Sequence, residues 1–218
     1  MAGLQKDQLD SVISTLARKR GILNIDYAVM GGAAVCLLAN DPTRITEDVD
    51  LVIHVDHRGV TADRLTSLLI DNFQSDFAPV LQFRHGIPGY KLSLPGGDVR
   101  LVDAEVFDYQ SWPRQPQYNI PSSTRRSMIV NGQTVKTLSH EWIFREKTLS
   151  QHQREGSPKG LIDIRDINRM IPMLNPGKPE LDFDRDIRLE SALPNLLQKR
   201  PLLGARLKDL VKSNMVFS

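Results

Sequence analysis

Apolar runs and short polar breaks alternate in the first forty residues. Near the N-terminus, apolar residues recur every three or four positions, which predicts an amphipathic helix over residues 4–19 that stops at Gly21. The apolar tetrapeptide Tyr27-Ala28-Val29-Met30 predicts a short buried strand. Gly31-Gly32 then leads into the Ala-rich run 33–39, which predicts a buried helix that begins at the glycines.

The middle of the chain is typical of strands joined by tight turns. β-Branched residues dominate Val49–Val55, which predicts a strand, and residues 61–73 place their leucines on one side of a predicted helix. The composition of Pro95-Gly96-Gly97-Asp98 and of Asn131-Gly132 predicts two hairpin turns. Further strands are predicted over residues 80–84, 90–94, 99–107, 128–130 and 134–136, and a long loop over 108–126.

Strand signals stop after residue 138. Helices are predicted over residues 139–153, 160–171 and 186–213. Breaks in the last of these are expected near Pro194 and Pro201, because proline removes a helical hydrogen bond. The pattern predicts two domains, an α/β domain over residues 1–138 and a helical region over residues 139–218.

Composition is that of an ordinary globular protein. Of the 218 residues 40% are hydrophobic and the net charge is +2, which predicts a sizeable core and argues against long nucleic acid as a partner. No apolar run reaches the ~18 residues of a membrane span, and no apolar leader follows Met1, so we expect a cytoplasmic protein without a membrane partner. Cys36, the single cysteine, is interpreted as a buried hydrophobic residue.

The first candidate site feature is the pair Gly31-Gly32 between a strand and a helix. Glycine lets a ligand approach the backbone closely, and the start of a helix directs N–H groups towards an anion. The alternative is a tight turn that needs small residues for packing alone.

The second feature is a pair of aspartates at the start of the next strand. Asp48 and Asp50 are two positions apart, so both side chains project from the same face of a strand. Such a pair suits Mg²⁺, which combines one or two carboxylates with phosphate oxygens of a substrate. The alternative is an acidic strand start that opposes aggregation at a sheet edge.

A third carboxylate is expected on a later strand. Asp103 and Glu105 share one face of the predicted strand 99–107, and we favour Asp103 because it lies mid-strand. Glu105 is the second candidate. The alternative for both is a hydrated sheet face.

Together these segments resemble a known superfamily. Gly31-Gly32, the segment Arg44-Ile45-Thr46-Glu47-Asp48-Val49-Asp50-Leu51 and a later acid resemble the nucleotidyltransferase superfamily with the polymerase-β-like fold. The similarity is greatest to its AbiEii/AbiGii toxin-type and aminoglycoside nucleotidyltransferase-like groups. It extends over about residues 25–170 and includes a weaker helical motif made of Lys147, Arg154, Lys159 and Asp163-Ile164. The resemblance implies an α+β fold, with a mixed sheet flanked by helices and followed by a helical C-terminal part.

The resemblance also implies a function: Mg²⁺- or Mn²⁺-dependent transfer of a nucleoside monophosphate from an NTP, such as ATP, to a hydroxyl-bearing acceptor. Metal ions would be held by carboxylates and would stabilise charge as pyrophosphate leaves. The implied catalytic and metal-binding residues are Asp48, Asp50 and Asp103. The implied nucleotide-binding residues are Gly31 and Gly32 around the phosphates, Arg44 and Thr46 beside the phosphates or the aspartates, and Lys147 from the helical part.

The chain departs from the family pattern at two places, and two other functions remain possible hypotheses. Gly160 replaces the first aspartate of the helical motif, and Asp41-Pro42 lies where small residues are expected. The fold also occurs without activity, so a repurposed protein that binds a ligand or partner in the same pocket is the alternative. A toxin of a toxin–antitoxin pair is a third hypothesis. The acceptor, whether small molecule, protein side chain or RNA end, and the oligomeric state are left undetermined.

Overall fold

A seven-stranded mixed sheet forms the larger part of the protein. The computed structural model describes residues 3–39, 41–82, 85–115, 118–119 and 125–217, without the side chain of His85. The strands are β1 Tyr27–Met30, β2 Val49–Ile53, β3 Phe77–Gln82, β4 His85–Ser93, β5 Val99–Asp108, β6 Arg125–Val130 and β7 Gln133–Leu138. Their order across the sheet is β3-β4-β5-β2-β1-β7-β6. The β2/β5 and β1/β7 pairs are parallel and the other neighbours are antiparallel.

Helices occur between the strands and through the C-terminal part. They are α1 Lys6–Leu23, α2 Gly31–Leu38, α3 Ala62–Asn72, α4 His140–Gln153, α5 Pro158–Met170, α6 Ile187–Lys199, α7 Leu203–Leu207 and α8 Asn214–Phe217. Short 3₁₀ turns lie between α5 and α6. No helix in the described ranges is both long and apolar enough to cross a membrane. These elements confirm the α+β fold with a mixed sheet and a helical C-terminal part.

The chain divides into two compact units, Met1–Leu138 and Ser139–Ser218. In the first unit, α1 and α3 pack on one face of the sheet. On β5, Val102 and Ala104 are buried on that face, while the residue between them points to the other side. The core side chains that are at most 1% exposed include Val12, Ile13, Leu16, Leu51, Leu65 and Leu69.

In the second unit, α4 packs against α5 and α6. Serine residues begin the first two of these helices: Ser139 Oγ accepts a hydrogen bond from the Trp142 N–H, and Ser157 Oγ accepts one from the Gly160 N–H. Each bond satisfies a backbone donor that has no partner within the helix, which is why serine favours these positions.

The predicted stop of the first helix at Gly21 is wrong. Helix α1 continues to Leu23 and ends at Asn24, which has a left-handed φ of 51° and whose N–H bonds to Gly21 O. Asparagine tolerates this conformation better than most residues, so it terminates the helix in the way that glycine was expected to.

The helix break that was expected near Pro194 is absent. Pro194 lies inside α6, which runs from Ile187 to Lys199, whereas the break near Pro201 is present. The helix continues through Pro194 because one side of α6 is fully buried. The free energy gained by burying that side outweighs the ~3 kcal/mol cost of a proline inside a helix. The buried side consists of Leu189, Ala192, Leu193 and Leu196.

Strand ends also differ from the prediction. β3 begins at Phe77 and β4 at His85, several residues before the predicted starts at 80 and 90. Glycine and proline have a low propensity for strands, so the pattern did not predict these residues as strand. Antiparallel pairing between β3 and β4 includes them nevertheless. The predicted strand end at residue 84 lies outside the described residues.

Candidate active site

The turn from β1 into α2 brings backbone and polar side chains unusually close. Gly31 has a φ of +63°, which favours glycine, and a Cβ there would collide with Asp50 Oδ2. A Cβ on Gly32 would lie 2.7 Å from Thr46 Oγ1 and 3.0 Å from Arg44 Nη2. We call Gly31 and Gly32 the glycine corner. Because neither residue has a side chain, the Asp50 carboxylate, the Thr46 hydroxyl and the Arg44 guanidinium lie close to the backbone at the start of α2.

The segment before β2 orders the first aspartate. Thr46 is buried, and its hydroxyl donates to Asp48. Thr46 Oγ1 lies 3.1 Å from Asp48 Oδ1 and 3.2 Å from the Asp48 carbonyl oxygen. The backbone of Arg44 is held by Cys36, whose Sγ donates to the Arg44 carbonyl at 3.1 Å. Cys36 is half-buried rather than fully buried. These contacts agree with an orienting role for Thr46, while phosphate contact by Arg44 and Thr46 stays a prediction.

Four acidic side chains lie on one face of the sheet. Asp50 on β2 pairs directly with Glu105 on β5, and Val49 pairs with Ala104. Val49 and Ala104 are fully buried, so the residues before and after them face away from the core. This face, opposite the α1 and α3 side of the sheet, carries Asp48, Asp50, Asp103 and Glu105.

The charges of this group interact. Burial and the negative charge of Asp48 both raise the pKa of Asp103 above its ordinary value. Asp103 therefore lies close enough to Asp48 for electrostatic repulsion, and on the same face as Asp48 and Asp50. Such repulsion is relieved by a bound cation.

The donor set suits a hard divalent cation because it consists of carboxylate oxygens. Within the described ranges, however, no three His, Cys, Asp or Glu side chains converge closely enough to hold a metal ion by themselves. Mg²⁺ commonly takes only one or two protein carboxylates and completes its shell with water and substrate phosphates. The residues thus fit a cation that arrives with a triphosphate better than one enclosed by protein.

Lys147 lies in the other unit and is buried. Its Nζ is 2.9 Å from Asp163 Oδ1 and 3.7 Å from Asp166 Oδ2. Burial alone would lower the pKa of Lys147, but the charges of Glu146, Asp163 and Asp166 outweigh burial and raise it. Lys147 is therefore not a solvent-exposed lysine on the surface of α4. The structure shows Lys147 inside an ion-pair cluster, and its contact with a triphosphate stays a prediction.

One residue beside the carboxylates was not identified from the sequence. Gly89 on β4 pairs directly with Asp103, but the strand was predicted to begin only at Tyr90. An isolated glycine within a strand pattern indicates close approach by another group, and the run Pro88-Gly89-Tyr90 carried that signal. The proline beside it obscured the strand.

The mixed sheet with its flanking helices has the fold of nucleotidyltransferase-like proteins. Among solved structures, an antigenic nucleotidyltransferase-like protein from Paracoccidioides brasiliensis is 59% identical, with a TM-score of 0.93 and coverage of 99% of both chains. This chain belongs to the family of that nucleotidyltransferase-like protein.

Two more distant structures share less. The antibiotic-resistance factor ANT(2'')-Ia is 14% identical with a TM-score of 0.49, covering 93% of this chain and 97% of its own. The lincosamide antibiotic adenylyltransferase LnuA is 12% identical with a TM-score of 0.45, covering 78% of this chain and 99% of its own. The chain matches no protein-family model and no curated protein sequence. The family assignment rests on the 59% identical protein alone.

Proposed function

We propose that this protein is a Mg²⁺-dependent nucleotidyltransferase, able to use Mn²⁺ as well, that moves a nucleoside monophosphate from an NTP to a hydroxyl-bearing acceptor. The observation that carries the proposal is the position of Asp103 on β5 next to Asp48, which directly precedes the paired parallel strand β2, beside the glycine corner. The charge of Asp48 contributes to the raised pKa of Asp103. Two carboxylates that repel one another cost stability, so a site that retains them is typical of cation binding.

The residues have separate roles in this proposal. Asp48 and Asp50 would hold a divalent cation together with triphosphate oxygens, and Asp103 would add its carboxylate on the side of the acceptor hydroxyl. Gly31 and Gly32 receive the phosphates at the start of α2. A bound divalent cation would neutralise triphosphate charge and favour the departure of pyrophosphate. Thr46 orients Asp48 through its hydroxyl, and Arg44, whose guanidinium faces the same corner, contacts the phosphates or orients the aspartates.

The proposed reaction is a displacement at phosphorus. The acceptor oxygen forms a bond to the α-phosphorus, and the bond from that phosphorus to the bridging oxygen breaks. Pyrophosphate leaves, and the hydroxyl proton passes to water. The protein contributes mainly position and charge, because phosphoryl-type transfer requires little covalent chemistry from side chains.

The alternative function is a repurposed fold that binds a ligand or partner without transfer. One observation favours it: no three potential ligands converge on a metal position in the described ranges. It predicts nucleotide binding without turnover, or no nucleotide binding at all.

The experiment is an assay of pyrophosphate release and label transfer with α-labelled NTPs and Mg²⁺. Acceptors are supplied as three pools: small alcohols, unfolded protein and short RNA. We expect metal-dependent transfer into one pool and a loss of at least about a hundredfold in Asp48→Asn/Asp50→Asn, since several kcal/mol of charge stabilisation disappears.

The matched control is Asp63→Asn/Asp71→Asn, which removes the same charge from exposed positions on α3. It should transfer label like the wild type. Equal activity of wild type and Asp48→Asn/Asp50→Asn, or no release with any pool despite nucleotide binding, would favour the repurposed alternative.

A further inference from the structure

The carboxylate-bearing face of the sheet continues as an apolar surface across β5, β4 and β3. We call Val80, Ile87, Val99 and Leu101 the apolar strip. Leu101 and Val99 precede Asp103 by two and four positions on β5, so they share its face. They are 38% and 59% exposed, which is unusual for large aliphatic side chains in the middle of a sheet.

Gly89 connects the apolar strip to the carboxylates. It pairs with Asp103 on one side and with Ala78 on the other. A Cβ on Gly89 would lie 2.5 Å from Val80 Cγ2 and 3.4 Å from Leu101 Cβ. The Val80 methyl therefore occupies the space over Gly89. Apolar surface begins directly beside Asp103, at the distance between paired strand residues, about 5 Å.

The apolar strip contains no counter-charge for a cationic ligand. On the same face of β3, β4 and β5, the described side chains beyond the carboxylates include one charged residue, Lys91. Its ammonium donates to the Gln74 carbonyl at 2.8 Å, beyond the start of β3. A polycationic molecule lying along the strip would meet carboxylates only at its Asp103 end, so its remaining charges would lose hydration without gaining ion pairs. An apolar body would gain by covering exposed aliphatic carbon.

We propose that the apolar strip binds the body of the acceptor, and that the acceptor is an alcohol or phenol with an aliphatic or aromatic skeleton. The hydroxyl would reach the carboxylates while the skeleton covers Leu101 and the Val80 methyl over Gly89. The inference rests on the proposed nucleotidyl transfer and adds its substrate class. It excludes polyhydroxylated and polycationic acceptors as preferred substrates.

The test compares 2-phenylethanol, glycerol and a polycationic aminoglycoside as probes. Binding is followed by saturation-transfer NMR with Mg²⁺ and a non-hydrolysable ATP analogue, and transfer is followed with labelled ATP. Leu101→Thr and Val80→Thr remove apolar surface but keep a residue that favours strands. Leu81→Thr is the matched control, since Leu81 is 83% exposed and points to the opposite face of β3.

We expect 2-phenylethanol to bind at least about ten times more tightly than glycerol, and more tightly than the aminoglycoside. Its Kd should rise about five- to twentyfold in Leu101→Thr and change less than about twofold in Leu81→Thr, as for loss of methylene contacts at a partly open site. Stabilisation by the ATP analogue should be the same in all variants, which also shows that they are folded.

Three results would overturn the inference. The first is equal binding of 2-phenylethanol and glycerol; the second is an identical response of Leu101→Thr and Leu81→Thr; the third is a wild-type dimer that Leu101→Thr dissociates. In each of these cases, nucleotide stabilisation would leave the proposed transfer intact. Conversely, probe binding without any nucleotide effect would contradict the proposed function and with it the assignment of the probe as an acceptor.

Discussion

At the scale of single residues, the candidate site combines groups that repel one another. Asp103 has a raised pKa because burial and the charge of Asp48 both disfavour its ionised form. The folded protein therefore binds a proton there more tightly than the unfolded chain does. Stability is lost as pH rises from the ordinary carboxyl pKa, near 3.8, through the raised pKa of the folded state.

Asp103→Asn should make the protein more stable at pH 7.5, because the substitution removes one of the repelling charges. The gain in Tm over wild type should disappear below about pH 4, where Asp103 is protonated in both the folded and the unfolded state. Thermal unfolding at a series of pH values measures it. Glu105→Gln is the matched control, and a larger gain there would transfer the role of third carboxylate to Glu105. A lower Tm for Asp103→Asn at pH 7.5 would contradict the account.

Arg20 provides a second test of charge burial. Its side chain is fully buried and lies over the Tyr27 ring. Among the residues that the structure describes, its three guanidinium nitrogens have no hydrogen-bond partner. Burial lowers the pKa of Arg20 to about 10. Arg20→Met should leave stability unchanged or raise it by about 1 kcal/mol, since an apolar side chain of similar length needs no partners. Urea unfolding measures the change, with the exposed Arg18→Met as control. A decrease of more than about 2 kcal/mol in the free energy of unfolding would show that the buried guanidinium stabilises the fold, and would contradict this account.

At the scale of elements, the glycine corner depends on backbone conformation and on close approach together. Gly31 has φ +63° with Asp50 Oδ2 in the space of a Cβ, while Gly59 has φ +67° with no atom within 4 Å. Gly31→Ala and Gly59→Ala therefore share the backbone strain and differ in the collision. We expect both to lose about 1 kcal/mol or more of stability, and only Gly31→Ala to lose stabilisation by Mg²⁺ and NTP. Calorimetry distinguishes them, and equal retention of nucleotide stabilisation would argue against the corner as phosphate site.

The contact between α4 and α5 depends on a buried cation. Asp163 and Asp166 are 2% and 0% exposed, and Lys147 is their shared partner. Lys147→Met should cost about 3–5 kcal/mol, because buried carboxylates would lose a counter-ion. Chemical denaturation measures the loss, with the exposed Lys159→Met as the comparison. A loss below about 1 kcal/mol would show that the cluster is dispensable and would favour a nucleotide-binding role for Lys147.

At the scale of the whole molecule, the sequence predicted what local periodicity determines. Asp48 directly precedes β2 and Asp50 lies within it, and the prediction that they project to the same side followed from their spacing alone. The hairpin at Asn131-Gly132 was equally local: both residues have positive φ, as a tight hairpin requires. The division at residue 138 into an α/β domain and a helical C-terminal region stays a prediction.

Other features depended on contacts between distant segments. The position of Asp103 beside Asp48 requires the parallel pairing of β2 with β5, which no local pattern specifies. The burial of Lys147 depends on carboxylates sixteen and nineteen residues further along the chain. Gly89 was missed because a neighbouring proline lowers strand propensity while tertiary pairing restores the strand.

The most direct measurement is thermal stability with Mg²⁺ and each of the four NTPs, in wild type and in Asp48→Asn/Asp50→Asn. The account predicts metal-dependent stabilisation of the wild type, about 2.7 kcal/mol at a ligand concentration of 100 Kd, and none in the double variant. Stabilisation that persists in a folded double variant, or that is absent from the wild type with every NTP, would contradict a metal–triphosphate site at these aspartates.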